Sequence, residues 1–428
     1  RPEREELMEY TVSQPVQAAL ENLLAMDEIA DALDWIQKDH ARCISEQKRL
    51  TCVEAPSFHE DARAELFAAM FRDLGLQDVR IDQDGNVLGL RKGQGGGPCI
   101  LLEAHMDTVF PLGSVGGVEE KDGFLFAPGI SDDTRGLAVI LSVIRALDVC
   151  GIQTKGDLLF AGTTREEGIG GMEGVKSLLD EQKGKIDACI SIDSASMSTI
   201  IYEATGLRTA EITFHGIGGH AFGAFGQVAN PLHAAARAVA KIADLQVPLA
   251  PKTTFCVSNF HAGNDAGVHA IPPSASIKIN YRSNDAALLE ALDQQIYRAI
   301  QEACDEESAR WGKDIITWES RVLCDIPAGS QSLHAPVVES LYAVLKKMGL
   351  QPMFQRGGAT NCSIAIARSI PAVCLGTCYC PGGESINTMD HTLEERFPIA
   401  GAYKGVQAAL LTALLCTGTG REQSILGV

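Results

Sequence analysis

Cys99-Ile-Leu-Leu-Glu-Ala-His105-Met-Asp107-Thr-Val109 is an apolar run that stops abruptly in a histidine and an aspartate two residues apart. It reads as a strand that delivers polar side chains at its C-terminal tip. In open α/β sheets the crevice beyond such tips is where ligands and active sites collect. The plain alternative is a strand that happens to end in a polar turn, and the other strands decide between the two. The preceding Gly93-Gln-Gly-Gly-Gly-Pro98 invites a phosphate-loop reading, but it leads into a strand instead of joining a strand to a helix, so a flexible turn is expected.

Three further apolar runs end in the same manner. Asp157–Thr164 leads into Arg165-Glu166-Glu167-Gly168, and Ile186–Ile192 ends in Asp193. Ile370–Gly376 is followed by a glycine-containing loop and His391. Between the first two strands, Asp132 and Asp133 precede the apolar helix Leu137–Leu147, and a helix N-terminus tolerates negative charge. Taken singly, each of these side chains is a solvated loop residue. Repeated at one structural address, they read as a single metal site.

Two histidines and several carboxylates suit two borderline divalent ions that share a bridging carboxylate, the arrangement used in metal-assisted hydrolysis. Thiolates are absent from these tips, which favours an open catalytic site over a closed structural one. One more acid is needed to move a proton from water to the leaving nitrogen. The pair Glu166-Glu167 can supply both a ligand and that acid.

The whole chain of 428 residues exceeds one ordinary domain, and 46% hydrophobic with 21% charged residues is globular composition. A net charge of −19 argues against nucleic acid or an anionic membrane as partner. No uncharged apolar stretch reaches membrane-spanning length, and the N-terminus lacks the apolar core of a signal peptide, so a cytoplasmic protein is expected. Thirteen cysteines, several inside apolar runs, fit free buried thiols. Cys374, Cys378 and Cys380 raise a thiolate metal site, but without a second pair at suitable spacing they are expected to line a loop.

Residues 1–26 read as an acidic, helix-prone extension, and Asp27–Leu50 carries helical periodicity. Pro56–Glu60 is expected to cap the next helix, and Val79–Leu90 alternates around Asp84-Gly85 as a hairpin. From residue 206 to 328 the order is strand (Arg208–His215), helix (Asn230–Asp244), strand (Thr253–Phe260), strand (Ala275–Ser283), helix (Ala286–Arg310) and strand (Ile315–Val322). This is the ferredoxin-like plan, inserted between catalytic segments 1–205 and 329–428. Helices Ala335–Met348 and Phe397–Leu415 complete the first domain. The fold class expected is therefore α/β, a mixed, mostly parallel sheet with helices on both faces, plus an inserted ferredoxin-like α+β lid or dimerisation domain.

His105-Met-Asp107-Thr-Val, Gly129-Ile-Ser-Asp132-Asp-Thr-Arg-Gly, Glu166-Glu167-Gly168, Asp193 and His391-Thr-Leu-Glu-Glu, in this order, resemble the co-catalytic zinc peptidase family of peptidase T, glutamate carboxypeptidase and acetylornithine deacetylase. The resemblance covers about residues 27–415. It implies that Asp132 bridges two Zn²⁺ ions, with Co²⁺ or Mn²⁺ as substitutes, that His105 and Asp193 complete one site, and that Glu167 and His391 complete the other. Asp133 is the alternative bridge; Asp132 keeps the family's spacing from Gly129. Glu166 would be the general base acting on a metal-bridging hydroxide, and Asp107 would orient His105.

In the inserted domain, Gly218-Gly-His220-Ala-Phe-Gly-Ala-Phe-Gly226 resembles the family segment whose histidine reaches a neighbouring subunit's active site, which implies a homodimer through this domain. Arg282 resembles the arginine that grips a substrate carboxylate. His269 stands where relatives often carry asparagine, Thr360-Asn361 replaces a more usual Thr-Asp, and Glu384–Asp390 looks like an insertion; the first two changes bear on substrate recognition and leave the metals alone. The expected activity is hydrolysis of an amide or peptide bond in a small peptide, of the tripeptide aminopeptidase kind. Carboxypeptidase or N-acyl-amino-acid deacylase activity is the alternative. A non-catalytic peptide-binding homologue would have lost ligands, and none is lost.

Overall fold

The computed structural model describes residues 10–193, 196–311, 315–380 and 386–427; the first nine residues of the N-terminal extension and Glu384, where the expected insertion begins, lie outside them. The chain divides into two compact units, Arg1–Ala204 with Ser330–Val428, and Thr205–Gly329.

The first unit is built on an eight-stranded sheet in the order Gln77–Ile81, Val87–Arg91, Asp157–Thr163, Cys99–His105, Ala188–Ile192, Ala372–Leu375, Thr199–Ile201, Met353–Gln355. The four middle strands run parallel. A hairpin adds antiparallel strands at one edge, and a pair antiparallel to its neighbour completes the other. Ile100–His105 is buried throughout, so both faces of this strand are covered, as an apolar run without alternation demands. Helices Thr134–Val149 and Tyr403–Thr417 pack on it. The first of these is buried from Thr134 to Leu147, its mostly apolar surface interrupted by Arg135, Ser142 and Arg145, which are hydrogen-bonded. The fold is thus mixed α/β with a mostly parallel sheet. Among the described residues no helix is long and apolar enough to cross a membrane.

Several elements depart from expectation, each for a visible reason. The periodic stretch after Asp27 forms two helices, Asp27–Lys38 and His40–Thr51. The break falls at Asp39, whose carboxylate accepts from Arg145 Nη2 at 2.6 Å. Pro56–Glu60 does not cap the Asp61–Asp73 helix through a side chain, because the Ser57 hydroxyl donates instead to Asp107 Oδ2 at 2.7 Å. The expected helix start at Phe397 is a strand, Arg396–Pro398, paired antiparallel with Phe124–Phe126; the helix begins at Tyr403. Proline fits that strand because it stands at its end.

The helix Gln14–Leu24 is part of the main core, burying Val16, Leu20 and Leu23. Tyr10 sits among His334, Tyr342 and Phe354 and donates to Leu333 O at 2.7 Å. Cys374, Cys378 and Cys380 are buried and form no disulfide, and the Cys374 thiol donates to Asp193 O at 3.2 Å.

The second unit follows a β-α-β-β-α-β order with a four-stranded antiparallel sheet arranged Thr253–Ala262, Ser274–Ser283, Gly206–His215, Thr317–Ile326. Helices Pro231–Ala243 and Ala286–Arg310 pack with Ile212, Phe214, Ile277, Ile279 and Ile300 into its own core. Asn230 and Asp285 cap these helices, accepting from Leu232 N at 3.0 Å and Leu288 N at 2.8 Å. The last strand runs on past Val322 to Ile326. It lies at the sheet's edge with most side chains in solvent, so apolar content marks its ends poorly.

Candidate metal centre

Register brings the tips together. His105 pairs with Thr163, Glu103 with Ser191, and Ser191 with Cys374, so the loops bearing Asp107, Glu166 and Asp193 leave from the C-terminal ends of the parallel strands. Between His105 and the apolar helix, Asp132 and Asp133 part ways. Asp133 Oδ1 accepts from Gly136 N at 3.0 Å as the helix N-cap, and its Oδ2 accepts from His105 N at 3.2 Å. Both of its oxygens are therefore engaged by backbone. The Asp132 carboxylate instead lies between two imidazoles, with Oδ1 2.8 Å from His105 Nε2 and Oδ2 3.1 Å from His391 Nε2. His391 Nε2 also lies 2.9 Å from Glu167 Oε1.

Three groups of side chains have potential ligand atoms within 4.8 Å of one another: His105 with Asp132 and Asp193; Asp132 with Glu167 and His391; His105 with Glu166 and Glu167. Asp132 belongs to the first two and Asp133 to none. The cluster is tied from behind. Asp107, fully buried, accepts through its carboxylate from Glu166 N at 2.9 Å, Glu167 N at 3.0 Å and Ser57 Oγ. It meets His105 Nδ1 by its backbone oxygen at 3.0 Å and by its carboxylate at 3.5 Å. Asp107 therefore holds the Glu166-Glu167 backbone as well as the imidazole, a role the sequence did not indicate.

So much negative charge in so little water distorts every titration. Burial, then the surrounding carboxylates, push Glu166 well above the usual carboxylate range. Burial raises Glu167 likewise, and burial with Asp132 brings Asp193 up to about 7. Hydrogen bonds with Asp132 and Glu167 raise His391 to about 11. Burial opposes ionisation of Asp132, yet the two histidines hold it below the ordinary range. Without cations the site must gather protons to offset its own charge, and these hard oxygen and imidazole donors are the ones borderline divalent ions take. The donor set fits such ions.

Some participants carried no sequence signal. Glu60 Oε1 accepts from Arg165 N at 3.0 Å and so anchors the loop bearing Glu166. Glu103 is buried and accepts from Asn361 Nδ2 at 2.8 Å and Thr163 Oγ1 at 3.1 Å. An aspartate at 361 would offer no such donor, which gives Asn361 a structural reason. Thr360, expected at substrate, is the N-cap residue of helix Asn361–Ala367. Glu395 is fully buried and accepts from the backbone N–H groups of Gly129, Ser131 and Asp132 at 2.9, 2.8 and 2.9 Å. Burial brings it up to about 8 against the pull of those donors. In the sequence it is the last residue of His391-Thr-Leu-Glu-Glu, a motif that marks its place without assigning it this task.

In the second unit, the short pairing of Gly219–His220 with Ala270–Ile271 sets the His220 and His269 rings 5.8 Å apart. Both are exposed. Arg282, also exposed, donates from Nε to Asn280 Oδ1 at 3.1 Å.

The profile of peptidase family M20/M25/M40 matches residues 101–414. Succinyl-diaminopimelate desuccinylase of Leptothrix cholodnii is 27% identical over 361 residues, covering 80% of this chain and 88% of that protein. The aminopeptidase PepT of Bacillus cereus superposes with a TM-score of 0.70 at 23% identity, over 87% of this chain and 97% of its own. The Bacillus subtilis YXEP protein, described as a dinuclear metal-binding peptidase, superposes with a TM-score of 0.64 at 16% identity, over 90% and 99%.

Proposed function

From the premise that this chain belongs to peptidase family M20/M25/M40 and is a metallohydrolase of peptide or amide bonds, we propose that it binds two zinc ions through Asp132 and uses Glu166 as general base on a small peptide substrate. The observation that carries the reading is the Asp132 carboxylate with one oxygen directed to each of two imidazoles. His105 and Asp193 complete one half-site, and Glu167 and His391 the other. Cobalt or manganese would occupy the same donors. When bound, the cations would polarise the scissile carbonyl and the attacking water.

The protein's own groups then have distinct tasks. Glu167 reaches His391 and belongs to the second half-site, which leaves Glu166 to handle protons. Glu166 is 8% exposed, and burial strengthens it as a base. It takes a proton from the attacking water and passes it to the nitrogen that leaves. Asp107 keeps Glu166 and Glu167 side by side through their backbone N–H groups, so ligand and base cannot exchange places. Arg282 would grip a substrate carboxylate, and His220 of a partner subunit would stabilise the developing oxyanion in a homodimer.

Glu166→Gln is expected to keep two cations per chain and to lose about 10²–10⁴-fold in kcat. Unchanged turnover would sink the assignment. For the substrate, tripeptides head the reading. N-acyl amino acids are a second reading, favoured by the desuccinylase relative at 27% identity. Parallel assays of di- and tripeptides and of N-succinyl and N-acetyl amino acids, each with added zinc, cobalt or manganese, separate the two.

A further inference from the structure

We propose that Glu395 is a positioning residue for the metal pair, fixing the backbone that carries Asp132 so that this one carboxylate is shared between two half-sites. The inference rests on the reading of the site given above. Glu395 is 0% exposed and lies 263 residues from Asp132 in sequence, yet it receives three backbone N–H groups of the Gly129–Asp132 turn at 2.8–2.9 Å.

The grip is double, and both parts come from one turn. His391 meets the Asp132 side chain, and Glu395, four residues on, holds its backbone. The turn is closed by Glu395 N to Thr392 O at 3.1 Å and Arg396 N to Thr388 O at 2.8 Å, and it is joined to the neighbouring segment by Ala127 N to Glu395 O at 3.1 Å. Asp132 is therefore held at both ends of its side chain by a single element. Without the Glu395 carboxylate, three buried N–H groups lose their acceptor and the turn relaxes. A carboxylate displaced toward one imidazole can serve that half-site and no longer both.

The test is titration of chelator-stripped wild-type, Glu395→Gln and Glu395→Asp chains with Co²⁺, followed by visible absorption and by competition with a chromophoric chelator. Glutamine keeps the volume but turns an amide N–H₂ toward one of the donors. The first Co²⁺ is expected to bind near wild-type affinity and the second about 10–100-fold more weakly, with an altered absorption band. Glu395→Asp, which keeps the carboxyl group and loses reach, should fall between. A merely structural Glu395 would lower the thermal midpoint and leave the ratio of the two affinities unchanged. Wild-type affinities for both ions in Glu395→Gln, or in Glu395→Asp should the former not fold, would overturn the inference alone. A wild-type chain that binds fewer than two Co²⁺ would overturn the reading of the site, and the inference with it.

Discussion

The cluster around Asp132 and the His220–His269 region of the second unit use the same residue types in opposite surroundings. Around Asp132 the acids and His105 are buried or partly so, with His391 exposed at the rim, and the fold fastens them: His105 by Asp107, Glu166 and Glu167 by Asp107, and the Asp132 backbone by Glu395. His220 and His269 stand exposed, joined to the body by a two-residue pairing, with Phe222 90% exposed beside them. The first region is oriented before anything binds. In the second, the bonds that orient His220 are local, from Phe222 N and Gly223 N to its Nδ1 at 3.3 Å, and lie in solvent. Preorganisation of this sort is how a site holds charge that water would otherwise screen.

This contrast can be broken by experiment, beginning with the largest effect. Asp107→Ala strands Ser57 Oγ and the N–H groups of Glu166 and Glu167, at about 1–3 kcal/mol for each buried donor left unpaired. A fall in the urea midpoint of that order, together with loss of turnover, is expected. A cost no larger than that of His220→Ala would erase the distinction between the two regions.

Next is the pH dependence of the cation-free chain. Burial raises Glu166, Glu167 and Asp193, the last to about 7, so above the ordinary carboxylate range the folded chain holds protons that the unfolded chain has released. Stability then declines as pH rises. His391, raised to about 11, adds a decline of the same sign above the ordinary histidine value of about 6.5. Asp132, held low, is fully ionised throughout this window and adds no slope. The thermal midpoint of the chelator-stripped chain should fall between about pH 5 and pH 8, and added zinc should remove the fall. A flat profile without cations would mean that the cluster does not carry the charge described.

The smallest effect belongs to the second region. His220→Ala and Arg282→Ala should leave folding stability within about 0.5 kcal/mol of wild type, as exposed positions do. Turnover should fall nonetheless. Mixing His220→Ala chains with Glu166→Ala chains should restore part of it if subunits share a site, and no rescue would count against the dimer.

The sequence carried the strand tips because uninterrupted apolar runs mark buried strands and their ends are unmistakable. The pattern picks out His105, Glu166, Glu167, Asp193 and His391, and the family resemblance adds the choice of Asp132 over Asp133. What it did not carry are bonds in which a side chain serves a distant backbone. Ser57 resembled a helix cap, and only the fold shows Asp107 as the stronger claimant on its hydroxyl. Glu395 closes the His391-Thr-Leu-Glu-Glu motif, which marked its place and not its task. Its importance depends on three N–H groups whose direction no spacing rule reveals. Phe397 continued an apolar pattern into the last helix, where strand pairing with Leu125 overrode it.

The Ala372–Leu375 strand lies between Ala188–Ile192 and Thr199–Ile201, in the interior of the sheet. During synthesis its two neighbours leave the ribosome roughly 170 residues before it does, with the whole second unit translated in the interval. The growing chain therefore carries an open slot flanked by apolar strands, and closing so long a loop is slow. The slot invites foreign strands until the last segment arrives. That same segment brings His391, so the proposed second half-site is incomplete in any nascent chain that has not yet reached it.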